Sequence, residues 1–307
     1  MTNQSLLGVD LGGTKIEALL IAPDGSETDR RRLPTPVDDY KGTLRAIDKI
    51  CREIEDTAGI SSPLPLGIGT PGAISPATGL MKNCNSTCLN DKPFAADLET
   101  LSGRPVRIAN DADCMALSEA TDGAGAGAHA VFGVILGTGV GGGIVIDGKL
   151  ARGTNAIAGE WGHNPLPLNA LASEMPVPTR RACYCGRKDC VETWLSGPGF
   201  SRTHAEATGA TLTPAEIVSS ARDGDGKAAL ILENYVELLA LALATVINVL
   251  DPAVIVLAGG VSNIDELYDG VKARLPVYVF SDRVDTMLEP AKYGDSSGVR
   301  GAAWLWR

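Results

Sequence analysis

The 307-residue sequence has few aromatic residues, few histidines and no excess of basic residues. Phe, Trp and Tyr make up 5% of the chain, and 27 Lys and Arg stand against 37 Asp and Glu, which gives a formal net charge of −10. A nucleic-acid-binding surface needs clustered basic residues that neutralise phosphates, so this balance argues against that class of function. The one dense basic run, Arg30-Arg31-Arg32, is interpreted as a solvated face.

The sequence also shows no pattern typical of a secretory leader and no long uninterrupted hydrophobic run. No basic segment precedes the short apolar stretch that starts at Leu6. The stretch Leu238 to Leu250, interrupted by Thr245 and Asn248, is too short to span a bilayer, and we interpret it as a buried helix. Seven cysteines, an odd number, indicate thiols and metal ligands rather than a disulfide framework. We therefore expect a cytoplasmic protein.

Glycine is abundant, with 36 residues, and two glycine-rich loops follow one plan. Gly12-Gly13-Thr14-Lys15 follows the predicted strand Leu6 to Leu11, and the run from Gly137 to Gly143 follows the predicted strand Val131 to Leu136. A second strand and a turn come after each loop. This repeat predicts two similar α/β lobes, each opening with a loop of phosphate size.

Such loops can hold phosphate because glycine lets backbone N–H groups come close to phosphate oxygens, and a threonine hydroxyl adds a donor. Asp10 places a carboxylate beside the first loop, where a phosphate-bound Mg²⁺ would sit. Neither loop is a P-loop, and a strand rather than a helix follows the second, so it is not a dinucleotide fingerprint. The alternative is that each loop is only a tight hairpin.

A potential zinc site is formed by Cys183, Cys185 and Cys190, in the pattern Cys-x-Cys-x4-Cys, with His163 twenty residues upstream. Three thiolates and one imidazole complete a tetrahedral site with no open position for water, which predicts structural zinc. The alternative is a set of reduced cysteines without metal. The remaining cysteines, which show no such grouping, are Cys51, Cys84, Cys88 and Cys114.

Candidate catalytic residues follow the predicted strand Val106 to Ala109. Asn110 and Asp111 come directly after it, at the kind of strand end where α/β proteins collect ligand groups. Alone, this pair is typical of a turn or a helix cap. Phosphoryl transfer to a hydroxyl, however, needs a carboxylate that accepts the proton. If zinc takes one ring nitrogen of His163, the other stays free to bind a sugar hydroxyl.

Together these residues resemble the ROK family of repressors, open reading frames and kinases, along essentially the whole chain. The matching segments are Asp10-Leu11-Gly12-Gly13-Thr14-Lys15, Asn110-Asp111-Ala112, Leu136-Gly137-Thr138-Gly139, Glu160-x-Gly162-His163 and Cys183-x-Cys185-Gly186-x3-Cys190-x-Glu192. The resemblance implies the α/β actin-like, hexokinase-type ATPase fold, with two similar lobes and a cleft between them. We expect residues 1–117, joined by a C-terminal helix at about 290–307, to form one lobe and 118–289, with the zinc loop, the other.

The resemblance also implies residue roles in an ATP-dependent sugar kinase that uses Mg²⁺ near Asp10. Asp111 would be the general base, and Asn110, Glu160, His163 and Glu192 would hold the sugar. The residues implied at ATP are Gly8, Asp10, Gly12, Gly13, Thr14, Lys15, Gly137, Thr138, Gly139, Gly141, Gly259 and Gly260. A homodimer is a further implication, and no nucleic-acid or membrane partner is expected.

Two positions depart from the family pattern. Asp113 stands where the family often has Asn, and this adds negative charge near the presumed base. Asp189 stands where a Gly often precedes the last cysteine. Asp tolerates a left-handed turn better than most residues, so the zinc loop should persist.

Within the family, the segments most similar to bacterial fructokinases of the manno(fructo)kinase type are Leu33-Pro34-Thr35-Pro36, Lys82 to Asn90, Gly159 to Pro167 and Gly294 to Gly298. We therefore expect fructose to be phosphorylated at its 6-hydroxyl. Mannose, glucose and N-acetylglucosamine offer the same hydroxyl and remain alternatives. A repressor would need a DNA-reading domain ahead of Gly8, where only seven residues stand, so this function is disfavoured. A non-catalytic sugar-binding protein would not need Asp111, so the presence of that residue argues against this alternative as well.

Overall fold

The structure, a computed structural model, describes residues 4–84, 86–171 and 180–307. Within them the strands are β1 Leu6–Leu11, β2 Lys15–Ile21, β3 Glu27–Pro34, β4 Leu66–Gly69, β5 Ala73–Ile74, β6 Met81–Lys82, β7 Val106–Ala109, β8 Ala130–Leu136, β9 Val140–Ile146, β10 Lys149–Leu150, β11 Val254–Ala258 and β12 Met287–Pro290. The helices are α1 Tyr40–Thr57, α2 Phe94–Ser102, α3 Asp111–Thr121, α4 Glu192–Leu195, α5 Gly197–Thr208, α6 Pro214–Arg222, α7 Gly226–Leu250, α8 Glu266–Tyr278 and α9 Ser297–Trp304.

The chain divides into two compact units. The first comprises Met1–Gly127, Gly143–Ala158 and Lys292–Arg307, and the second comprises Ala128–Gly142 and Gly159–Ala291. The sequence-based boundaries differ, since 118–127 and 143–158 belong to the first unit although both were expected in the second lobe. The physical reason is that α3 carries the chain onward within the first unit and Gly143 packs against Ala116 of that helix.

The first unit is organised around a five-stranded sheet in the order β3-β2-β1-β4-β7. β1 pairs antiparallel with β2 and parallel with β4, and β4 pairs parallel with β7. Parallel strands end at the same edge of a sheet, so the residues that follow β1, β4 and β7 are brought together. This edge therefore collects Asp10, near the end of β1, and the Asn110-Asp111 pair after β7.

Helix α1 covers one face of this sheet. The periodic spacing predicts a helix there, and Leu44, Ile47 and Ile54 are buried as that spacing requires. Asp39 caps its first turn by accepting a hydrogen bond from the N–H of Gly42 at 2.8 Å. The core of the unit lies between this helix and the inward side chains of β1 and β4.

Helix α9 covers the other face at very close range. A Cβ added to Gly8 of β1, Gly67 of β4 or Gly301 of α9 would overlap backbone atoms of the facing element. These three glycines therefore let α9 approach the strands and α3 closely enough for backbones to touch.

The basic run lies on β3, where its side chains are partly exposed as a solvated face requires, but two of them also bind a buried carboxylate. Arg30 and Arg32 both donate to Glu17 of β2, a residue that is 2% exposed. Burial by itself would raise the pKa of Glu17, but the hydrogen bonds from Arg32 and Arg30 hold it below its usual value. The run neutralises a buried carboxylate on the neighbouring strand.

A second five-stranded sheet has the order β10-β9-β8-β11-β12, and β11 pairs parallel with both β8 and β12. Helix α7 packs beside α6 and α8 in the second unit. The interpretation of Leu238 to Leu250 as part of a buried helix is confirmed, but its length argument was wrong. The whole 25-residue helix is long and apolar enough to cross a membrane by length and composition alone. Because 67% of its most apolar window is buried inside the protein, it is a core helix.

Candidate active site

The first glycine loop joins β1 to β2 with an exposed tip. Gly12 closes it by donating its N–H to the carbonyl of Lys15 at 3.0 Å. Thr35 supports the loop, because its hydroxyl donates to the Gly12 carbonyl at 2.8 Å and its N–H donates to the Thr14 carbonyl at 3.0 Å. Gly13, Thr14 and Lys15 are exposed, which leaves polar groups at the tip available to phosphate oxygens.

Gly8 does not belong to this loop, and its predicted place at the nucleotide is corrected. It lies inside β1, buried, with Val299 and Ala303 of α9 over its Cα atom. The glycine is required there because any side chain would overlap α9. The sequence pattern could not separate this packing glycine from the loop glycines that follow it.

Asp10 and Asp111 form a pair of interacting carboxylates in the first unit. The pKa of Asp10 is raised to about 6, chiefly by burial and then by the negative charges of Asp111 and Glu17, while Lys15 acts in the opposite direction. Desolvation also raises the pKa of Asp111, and the N–H of Ala112, which donates to its Oδ1 at 2.9 Å, partly offsets that rise. Asp111 is nonetheless exposed along part of its surface, so a substrate can reach it.

Asp113 adds a third carboxylate to the cluster of Asp10 and Asp111, as its effect on the buried Cys114 indicates. Burial raises the pKa of the Cys114 thiol well above its usual value, and the charges of Asp113, Asp10 and Asp111 raise it further. Carboxylate oxygens in such a cluster suit Mg²⁺, a hard cation whose charge would favour their ionised forms. The donor set around Asp10 therefore fits the magnesium expected from the sequence.

Asn110 caps α3 with its side-chain oxygen, and its side-chain NH₂ group can still bind a ligand. Its side-chain oxygen accepts from the N–H of Asp113 at 2.6 Å, so the residue is a helix cap, as its position after a strand predicts. Among the residues that the structure describes, no partner binds its side-chain NH₂ group. That group can donate to a sugar hydroxyl next to the Asp111 carboxylate.

A cavity of about 200 Å³ adjoins the first glycine loop in the first unit. Its lining comprises Leu11, Gly13, Thr35, Pro36, Val37, Asp38, Thr43, Ser86, Thr87, Cys88 and Leu89. Two of the segments that resemble fructokinases, around Thr35 and around Thr87, therefore meet at this cavity. Asn85 in the second of them lies outside the described residues.

The second glycine loop, between β8 and β9, is held by a carboxylate. Glu192 accepts from the N–H of Val140 at 3.0 Å, and a Cβ on Gly139 would lie 2.6 Å from its Oε2. Gly139 is thus required for the approach of Glu192, a function that the sequence did not predict. Gly137 donates to the carbonyl of Gly139 at 3.0 Å, and Thr138 at the tip is exposed.

Gly141 and the Glu160–His163 segment are joined by a buried tryptophan. Trp161 donates from Nε1 to the Gly141 carbonyl at 2.9 Å, and its ring packs edge to face on Phe132 with centroids 5.6 Å apart. The carbonyl of Gly141 therefore has a structural role, as the acceptor that holds the Trp161 side chain. Glu160 directly precedes the buried ring, and its side chain is exposed.

Gly259 and Gly260 follow β11, at the same sheet edge as the loop after β8, because those two strands run parallel. Gly259 has φ of 88° and lies so close to Leu136 that a Cβ would be 2.5 Å from its carbonyl oxygen. Around Gly260 no atom lies within 4 Å of an added Cβ, among the described parts of the chain. A ligand at this edge can come close to the Gly260 backbone.

The predicted zinc ligands converge in the second unit. The ligand atoms of His163, Cys183, Cys185 and Cys190 all lie within 4.8 Å of one another. Nδ1 of His163 is 3.6 Å from Sγ of Cys183, and the sulfurs of Cys185 and Cys190 are 3.6 Å apart. Tetrahedral zinc has bonds of about 2.3 Å to sulfur and about 2.0–2.1 Å to nitrogen. Such a site requires about 3.6 Å between a nitrogen and a sulfur ligand and about 3.8 Å between two sulfur ligands. The geometry therefore fits zinc bound through Nδ1.

The loop that carries these cysteines has its own supports. Asp189 has φ of 56°, the left-handed conformation that the sequence analysis expected it to tolerate. Arg181, fully buried, donates to the carbonyls of Thr193 and Gly199 and to the carboxylate of Glu206, which ties the loop to α4 and α5. The sequence gives no signal for Arg181, because only its distant partners distinguish it from a surface arginine.

The profile of the ROK family matches residues 6–307. An N-acetyl-D-glucosamine kinase of Pasteurella multocida (strain Pm70) is 39% identical over 303 residues, which cover 97% of this chain and 98% of that protein. The crystal structure of the ROK hexokinase from Thermus thermophilus is 29% identical, with a TM-score of 0.86 and coverage of 98% and 97%. A ROK family glucokinase from Streptomyces griseus, in complex with glucose and AMPPNP, is 28% identical, with a TM-score of 0.73 and coverage of 98% and 99%. The chain therefore belongs to the ROK family, as a sugar kinase with the actin-like, hexokinase-type fold.

Proposed function

We propose that the protein is an N-acetyl-D-glucosamine kinase, which transfers the γ-phosphoryl group of ATP to the 6-hydroxyl of that sugar. The observation that carries the proposal is the likeness to kinases of that name from Pasteurella multocida and Vibrio cholerae, 39% and 38% identical over 97% of this chain. The matched region covers 97% of this chain, so it includes both units. As an ATP-dependent sugar kinase, the protein is expected to act in the cytoplasm, as its sequence predicts.

Asp111 acts as the general base in this reaction. Its carboxylate takes the proton of the 6-hydroxyl as that oxygen bonds to the γ-phosphorus, while the bond from phosphorus to the leaving ADP oxygen breaks. The raised pKa makes Asp111 a stronger proton acceptor than an ordinary aspartate. The side-chain NH₂ group of Asn110 holds the sugar beside it.

Glu160, His163 and Glu192 hold the ring hydroxyls in this proposal. Carboxylates accept hydrogen bonds from sugar hydroxyls. The imidazole contributes through its Nε2–H, which the sugar shares with the hydroxyl of Tyr184 at 2.9 Å, since Nδ1 faces the cysteines. Zinc bound to Nδ1 would fix the orientation and tautomer of the ring. Glu192 also accepts from Val140, so sugar binding is coupled to the second glycine loop.

The exposed loop tips, Gly12 to Lys15 and Gly137 to Gly139, bind the nucleotide phosphates in the proposed complex. Mg²⁺ near Asp10 would neutralise part of the charge that develops on the phosphoryl group. The open surroundings of Gly260 leave room for the adenosine at the end of β11.

Fructose is the second candidate substrate, on the strength of the segments around Thr35 and Thr87 that resemble fructokinases and that line the cavity beside the first glycine loop. The compared N-acetyl-D-glucosamine kinases, at 37–39% identity, favour the first candidate. Both candidates present a 6-hydroxyl to the same base.

The test is the release of ADP from Mg²⁺-ATP with N-acetylglucosamine, fructose, mannose or glucose as acceptor. We expect the highest kcat/KM on N-acetylglucosamine, and the Asp111→Asn variant assayed in parallel shows whether a contaminating kinase contributes. A maximum on fructose would replace the first candidate by the second. No turnover on any of the four sugars would contradict a kinase for these hexoses.

A further inference from the structure

Tyr184 lies in the zinc loop between Cys183 and Cys185, and 83% of its surface is exposed. Its polar end is nevertheless held in one position. The hydroxyl oxygen is 2.9 Å from Nε2 of His163, and the two rings meet edge to face at 87° with centroids 5.1 Å apart. The protein thus presents an exposed aromatic ring whose hydroxyl is anchored to the histidine expected to bind sugar.

The direction of this hydrogen bond follows from the other ring nitrogen. Nδ1 of His163 faces Sγ of Cys183 at 3.6 Å, in the position of a metal ligand. An imidazole that binds metal through Nδ1 carries its proton on Nε2. With zinc on Nδ1, the oxygen of Tyr184 would therefore accept from His163, and its own hydroxyl proton would remain to be donated to another oxygen.

The segments that carry predicted sugar ligands of the second unit are joined near this contact. The N–H of Val191 donates to the carbonyl of Asn164 at 2.9 Å, which ties the segment of Glu192 to the segment of His163. Tyr184 therefore contacts His163 where these two segments are held together.

Backbone hydrogen bonds shape the turn that carries Tyr184. The N–H of Cys183 donates to the carbonyl of Arg187 at 2.9 Å, and the N–H of Gly186 donates to the carbonyl of Cys183 at 3.0 Å. A tyrosine on such a turn offers a large amphipathic surface at low entropic cost, because little freedom remains to be lost on binding.

We propose that Tyr184 is a sugar-binding residue of this kinase, which donates its hydroxyl proton to an oxygen of the bound sugar and covers the sugar with its exposed ring. The proposal rests on the sugar-kinase function proposed above but not on which hexose is preferred. The sugar-binding roles of His163, Glu160 and Glu192 are inferred from family motifs, whereas the role of Tyr184 is inferred from its contacts alone.

The test compares Tyr184→Phe, which keeps the ring and removes the hydroxyl, with Tyr40→Phe as a matched control. Tyr40 donates its hydroxyl to Asp97 at 2.7 Å in the first unit, away from the zinc loop. We expect Tyr184→Phe to raise the KM for the preferred sugar about tenfold, the usual effect of one lost hydrogen bond, with the KM for ATP and the zinc content unchanged. The control should match the unmodified enzyme.

An unchanged or lower sugar KM in Tyr184→Phe would overturn the proposal, and a lower value would show that the tyrosine blocks His163 instead. A higher KM accompanied by loss of zinc would assign the residue to the stability of the loop, which also overturns it. If the enzyme turns over none of the sugars, calorimetric titration of N-acetylglucosamine and fructose into both proteins decides the question: weaker binding by the variant supports the proposal, and equal binding or none by either protein rejects it.

Discussion

Asp111 combines two properties that a catalytic base requires. Its side chain is exposed enough to meet a substrate, yet surrounding protein atoms remove part of its hydration and raise the pKa of its carboxyl group. The nearby Asp10, whose pKa is raised to about 6, adds repulsion that a bound cation would relieve. The ionised form of each carboxyl group is therefore disfavoured in the free protein, at the place where phosphate and metal are expected.

We expect Asp111→Asn to lower kcat by about 10²–10⁴ while the protein stays folded, since the amide cannot accept the proton. In the unmodified enzyme, kcat/KM should fall as pH decreases through the raised pKa of Asp111, at a higher pH than for an ordinary aspartate. The folded state binds this proton more tightly than the unfolded chain does. Ionisation therefore destabilises the fold, and the variant should not melt at a lower temperature at neutral pH. Full activity of the variant would exclude Asp111 as the base.

At the scale of elements, α9 is attached to the first unit by backbone contact and by one buried carboxylate. Glu119 of α3 is fully buried and accepts from the N–H groups of Lys292 and Tyr293 and from the hydroxyl of Ser297. The start of α9 is therefore fixed to the helix that begins with Asp111. The helix also passes Asp10, since a Cβ on Gly298 would lie 3.6 Å from that carboxyl carbon.

Replacing Gly301 by Ala should destabilise the protein, because the new Cβ would overlap the carbonyl oxygen of Cys114. Overpacking of this kind costs about 1–3 kcal/mol or more, against about 1 kcal/mol that alanine gains in helix propensity. Gly226→Ala is the matched control: it lies at the start of α7, where no atom of the described chain is within 4 Å of an added Cβ. Urea unfolding should show a loss for Gly301→Ala and no loss for the control. Equal stability of the two variants would mean that α9 can move away from α3 at little cost.

At the scale of the whole molecule, each unit carries its own part of the chemistry. The first contains the acidic cluster and one glycine loop, and the second contains the other loop, the zinc ligands and the group around His163. The zinc loop is the feature of the second unit that depends on a ligand for its final form. The three thiolates of this cluster, whose ligand atoms lie within 4.8 Å of one another, would repel one another without a cation among them.

We expect about one zinc per chain in protein purified without chelator, and loss of most of it in Cys185→Ser. Cys185 is exposed, so the substitution removes a ligand with little effect on packing. Sugar binding should weaken as well, because His163 loses the metal that orients its ring. Cys88→Ser, outside the cluster, is the control and should retain zinc. Metal analysis and sugar titration measure both effects, and unchanged sugar affinity in a zinc-free variant would separate His163 from the metal.

The sequence by itself determined the features that depend on neighbours in the chain. The spacing of apolar residues indicated α1 and the core strands, and the Cys-x-Cys-x4-Cys pattern with His163 predicted a metal cluster whose ligand atoms do converge. Side chains of one element repeat with the period of its backbone, and ligands on one short loop have little freedom to separate, so both signals are local.

Tertiary structure alone decided the features whose partners lie far away in sequence. Gly8 proved to be a packing glycine because α9 returns to β1, Arg30 and Arg32 neutralise a carboxylate on the neighbouring strand, and the hydroxyl of Tyr184 meets His163. A single sequence without its fold gives no signal for such pairs. A glycine, an arginine or a tyrosine has the same local pattern whether it faces water or a distant residue, and only the path of the folded backbone brings the partner into contact.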